Sequence, residues 1–186
     1  MNNTYIENLK KKYTPIIKKI LEDNKRFFDL SWKIDWEFFV DERVSIIGFY
    51  SRALKKLQIN LYAVDFAYTE KNEPLQIEYF IIHEARHYFQ DYCIEIYDTN
   101  HEKCPVSHNL IQDWKNGFKN YTKPINGQSN KEYYFNPIEK DAFLFSYSVM
   151  QYKYGEIPYI TLPNAYNDCT QIRDKKFCTL FKEQNL

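Results

Sequence analysis

Glycine occurs only 4 times in 186 residues, against 17 Tyr, 14 Phe and 3 Trp. A chain so poor in glycine and so rich in large rings is not a disordered or low-complexity one. No stretch approaches the ~20 consecutive apolar residues that a membrane span requires. The opening segment MNNTYIENLKKKY has no apolar core of a secretory leader. No CxxC pair occurs among Cys93, Cys104, Cys169 and Cys178, so the expectation is reduced thiols in a cytoplasmic protein. There is no excess of either charge: Lys+Arg and Asp+Glu both number 25. That speaks against a phosphate backbone as the main partner. The clusters Lys10-Lys11-Lys12 and Lys55-Lys56 read as solvated faces.

What is present suits one domain, 1–186, made of a first part (1–95) and a helical second part (96–186). Apolar residues recur at helical spacing from Ile6 to Leu21, which predicts a helix over 5–23 that Pro15 kinks or breaks. Segments 32–40, 44–50 and 57–63 read as three strands of a small, mainly antiparallel sheet. Asn72-Glu73-Pro74 carries a cap residue followed by an early proline and opens a helix over 75–95 that is apolar nearly all round. Further helices are expected over 105–121 and from Asn136 to about Lys153, with 122–131 as a loop and a short helix near 170–183. Helix, strands, then helices is an α+β order.

The chemistry lies in His83-Glu84-Ala85-Arg86-His87. On a helix, residues four apart share a face, so His83 and His87 can reach one tetrahedral zinc ion. Glu84 projects beside them, placed to act as general base on a metal-bound water whose pKa the metal lowers towards ~7. The alternative is a pair of histidines that merely pack in the core or sit on a solvated face. A Glu and an Arg inside so apolar a helix are costly unless paired or functional.

A third ligand is needed. Ten residues after His83 stands Cys93, and Gln90 occupies the place of a turn glycine, so Cys93 reads as a small core residue. Asp91 reads as a surface carboxylate that can also reach the rim of the site. Downstream, Glu139 opens a second helical segment, Glu139-Lys140-Asp141-Ala142. The alternative, behind Asn136 as cap, is a Glu that closes a capping box. Asp141 is a fallback ligand, or a group bonded to a ligating His or to Arg86. His101, Cys104 and His108 have ligand types without an adjacent fourth. His108, Tyr133 or Tyr134 can serve an oxyanion.

HEARHYFQ together with NPIEKDAFLFS resembles the gluzincin-like zinc peptidases, in particular the ImmA/IrrE-like and minimal-gluzincin groups, over roughly residues 57–150. The resemblance implies a zincin-like fold with a buried HExxH helix, one zinc per chain held by His83, His87 and Glu139, and a protein or peptide substrate. In such folds a substrate adds to a sheet edge, for which 44–50 and 57–63 are the segments available. Neither nucleic acid nor membrane is an expected partner, and oligomeric state is not set. The rival reading is a non-catalytic binding or regulatory protein on the same fold, with a structural or occluded metal.

Overall fold

The computed structural model describes residues 3–28, 34–43, 46–71, 73–122 and 131–160. They form two compact units, Met1–Tyr88 and Phe89–Leu186, whose boundary falls within one continuous helix. The class is α+β, as the order of patterns implies: helix, three strands, then helices.

In the first unit, α1 (Asn3–Asn24) runs through Pro15. Its buried face carries Leu9, Tyr13, Ile17 and Ile20, the 3–4 spacing of an amphipathic helix. The sheet consists of β1 (Trp36–Phe39), β2 (Gly48–Ser51) and β3 (Lys56–Asn60), in the order β1-β3-β2. β2 and β3 form the antiparallel pair, with Gly48 opposite Ile59 and Tyr50 opposite Leu57. β1 pairs with β3 in parallel, Trp36 opposite Leu57. The sheet is therefore mixed, where a mainly antiparallel one was expected. Neighbours in sequence usually pair, but β3 takes the place between β1 and β2. Gly48 is required by closeness: a Cβ there would lie 2.5 Å from the Gln58 carbonyl oxygen.

The third expected strand ends early. Residues 61–63 belong to α2 (Leu61–Thr69), and Asn60 is its cap, accepting from the Tyr62 N–H at 3.3 Å. The Asn60 amide also donates to the Asp41 carbonyl at 3.0 Å. Leu61, Val64 and Ala67 turn one face of α2 into a core with Tyr13, Ile17 and Ile77. The Asp65 carboxylate accepts from Tyr13 Oη at 2.6 Å, Tyr5 Oη at 3.1 Å and Lys12 Nζ at 3.2 Å, which ties α2 to α1.

α3 (Pro74–Thr99) begins at its proline, and Asn72, the expected cap, lies outside the described residues. In the second unit, α4 (His108–Lys119) starts behind Ser107, whose hydroxyl accepts from the Leu110 N–H. Trp114 of α4 is fully buried and meets the Phe89 ring edge-on at 6.1 Å. A short helix α5 (Lys131–Phe135) precedes α6 (Pro137–Tyr154), which begins with proline behind an Asn136 cap, as the sequence predicts. Most of the expected loop (123–130) and the expected helix near 170–183 lie outside the described residues. Among the described residues, no helix is long and apolar enough to cross a membrane.

Candidate metal centre

The HExxH residues sit in the middle of α3. His83 is 3 % and His87 7 % exposed. Their rings meet edge-on, with centroids 4.8 Å apart. Their Nε2 atoms lie 3.2 Å from each other. Two nitrogens at ordinary zinc distances in a tetrahedron are separated by about 3.3 Å, so the pair is spaced for one ion.

Glu139 is 2 % exposed in the first turn of α6. His83, His87 and Glu139 each offer one ligand atom, and the three atoms lie within 4.8 Å of one another. This buried group can hold a metal ion. Among the described residues it is the one group of three His, Cys, Asp or Glu side chains so gathered. Two imidazoles and a carboxylate are the donors of an open catalytic zinc site, and the same set accommodates iron, nickel or manganese.

Local interactions explain why Glu139 stands where it does. Asn136 Oδ1 accepts from the Ile138 N–H at 3.1 Å, and its Nδ2 donates to the Gly117 carbonyl at 3.0 Å. A Cβ on Gly117 would lie 2.8 Å from Asn136 Oδ1 and 3.1 Å from the Ile138 nitrogen, so α4 and the start of α6 approach only over a glycine. In a capping box, Glu139 would accept from the Asn136 N–H. That N–H donates to the Tyr133 carbonyl at 3.1 Å instead, so the cap has no need of the Glu139 carboxylate.

Gln90, fully buried, donates Nε2 to the Ile138 carbonyl at 3.0 Å and to Asp141 Oδ2 at 2.7 Å. These acceptors flank Glu139 in sequence. Asp141 is thus a partner of Gln90 and is not part of the three-ligand group. Sequence reasoning passed over Gln90 as a missing turn glycine. Its one signal was an uncharged amide one turn past His87, on the face that carries the imidazoles.

Glu84 is half-buried, and its Oε2 accepts from the Tyr50 N–H of β2 at 2.7 Å. Of the two segments offered as sheet edges, β2 is an edge strand, whereas β3 is central. Asp91 is 1 % exposed, which corrects its reading as a surface carboxylate. It follows His87 by four residues on a helix packed nearly all round. Cys93 is buried, and its carbonyl accepts from Cys104 Sγ at 3.6 Å. His101, Cys104 and His108 form no three-residue metal group. His108 Nδ1 pairs with the Tyr97 hydroxyl on an exposed surface. Tyr133 and Tyr134 pack on Phe143, with ring centroids at 6.2 and 5.7 Å.

No protein-family model, no curated protein and no solved structure matches this chain.

Proposed function

We propose that the chain is a zinc-dependent peptidase acting on a protein or peptide substrate. The observation that carries this reading is the buried group His83, His87 and Glu139, with ligand atoms within 4.8 Å, on a helix that also bears Glu84. His83 and His87 would supply two imidazole nitrogens, and Glu139 one carboxylate oxygen. A bound zinc would polarise a peptide carbonyl and bring the pKa of a water towards ~7.

The protein's own part is proton handling and orientation. Glu84 accepts the proton of the attacking water and returns it to the departing amine. β2 is an edge strand whose Tyr50 N–H is held by Glu84, and an extended peptide can add to the rest of such an edge, giving affinity with little sequence preference. Gln90 and Asn136 fix the first turn of α6 and hence the Glu139 carboxylate, the role that neighbours of a ligand serve in metal sites.

Elemental analysis of wild type, His83→Ala and Glu139→Ala tests the centre. About one zinc per chain in the wild type, lost in both variants, is the expected result. Cleavage of a denatured protein by the wild type, abolished in Glu84→Gln while zinc is retained, would support catalysis. A protein that takes up no zinc even on reconstitution sinks the proposal.

A further inference from the structure

Tyr50 meets Glu84 through its backbone, and the strand register explains why that amide is available. The Asn60 N–H donates to the Ile47 carbonyl at 2.7 Å, so positions 47, 49 and 51 turn their amides and carbonyls towards β3. Gly48 and Tyr50 therefore point theirs to the outer edge. The Tyr50 N–H takes no part in the β2–β3 ladder and donates to Glu84 Oε2 at 2.7 Å. A hydrogen bond from an amide to a carboxylate is of the strong, charge-assisted kind. It lies beside a small hollow that Ile47, Leu57, Gln58, Ile59, Phe80 and Ile81 line.

Two further contacts hold the strand in register. The Tyr50 ring meets Tyr88, one helical turn after Glu84, edge-on at 5.6 Å. The Gly48 backbone sits so close to the Gln58 carbonyl that no side chain fits. A glutamate on a helix has three rotatable side-chain bonds, and a fixed donor on Oε2 restricts them and so sets the direction in which the carboxylate faces.

We propose that the Tyr50 amide is a positioning group for Glu84, so that the edge strand β2 aims the general base. This rests on the peptidase reading above.

The test compares Tyr50→Pro with Tyr50→Ala. Both lose the ring, but only proline loses the amide hydrogen, at an outward position where an edge strand tolerates it. With equal zinc content, kcat of Tyr50→Pro is expected about 10- to 100-fold below that of Tyr50→Ala, with KM within about threefold. Equal kcat values would overturn the proposal.

A second measurement needs neither activity nor a folded proline variant. Hydrogen exchange of the Tyr50 amide should be roughly tenfold faster or more in Glu84→Ala than in wild type, with Phe49 and Ser51 unchanged. An unchanged Tyr50 rate overturns the contact. A zinc-loaded wild type that cleaves no protein ends the peptidase reading, and the positioning role with it. Cleavage with equal kcat in the two Tyr50 variants ends the positioning role alone.

Discussion

The side-chain amide of Gln90 donates to Asp141 Oδ2 across 2.7 Å while also holding the Ile138 carbonyl at 3.0 Å. One buried residue thereby grips α6 on both sides of Glu139. Gln90 follows His87 by three residues on the same helix, so the face of α3 that carries the imidazoles also carries the clamp.

Gln90→Leu keeps the volume and removes both donors, leaving a carboxylate and a carbonyl to be solvated or strained. The expected cost is about 2 kcal/mol, read as a fall in Tm of roughly 4–8 °C for a chain of this size. Zinc affinity should fall by about 10-fold or more, as with other partners that orient metal ligands. Unchanged Tm and zinc affinity would mean that Gln90 does not hold Glu139 in place.

Zinc itself should stabilise the fold. Metal that binds the native chain alone adds about 2.7 kcal/mol at 100 times Kd. Thermal unfolding with and without zinc should show a rise in Tm in the wild type that His83→Ala and Glu139→Ala both lack. A rise of the same size in Glu139→Ala would place the third ligand elsewhere, and Asp91, buried one turn past His87, would be the next to replace.

Parts of this arrangement were legible in the sequence for physical reasons. Pro74 and Asn136-Pro137 mark helix starts because proline suits the first helical position and asparagine caps it. The imidazole pair follows from i,i+4 spacing alone. Other parts were not. Asn60 sits in a run, LQINLYA, that reads as one strand, and only its side-chain bonds to Tyr62 and Asp41 show where strand becomes helix. The β1–β3 pairing is parallel and non-local, and neither strand encodes its partner. Gln90 matters through atoms of Ile138 and Asp141, some fifty positions downstream, and the identity of one amide does not announce that.

Gly117→Ala provides a test whose sign is informative. In an exposed helix interior, replacing glycine by alanine stabilises by about 1 kcal/mol. Here the added methyl would lie 2.8 Å from Asn136 Oδ1, 3.0 Å from Ile138 Cγ2 and 3.1 Å from the Ile138 nitrogen. The α6 cap must shift, at a cost of about 1 kcal/mol or more. Expected are a Tm no higher than wild type and weakened zinc binding, because the turn that bears Glu139 moves. A clear rise in Tm with zinc binding intact would show that α4 and α6 have slack at this crossing.

Asp65 gives the fold a pH dependence separate from the metal group. Burial pushes its carboxyl pKa up, but hydrogen bonds from Tyr13, Lys12 and Tyr5 outweigh that, and the net shift is below the ordinary value. A carboxylate whose folded pKa is lowered contributes stability that is present above its unfolded pKa, about 3.9. That contribution is lost as the pH falls through the lower, folded value. Tyr13 carries the opposite shift: burial first, then its bond to Asp65, raises its pKa, so its share declines only as the pH climbs past about 10. Urea unfolding of wild type and Asp65→Asn from pH 7 down to pH 3 should therefore converge. The variant should be less stable near neutrality, and the gap should narrow below about pH 4 as wild-type Asp65 takes up its proton. A gap that stays constant over this range would mean that the Tyr5, Lys12 and Tyr13 bonds do not depend on the charge of Asp65.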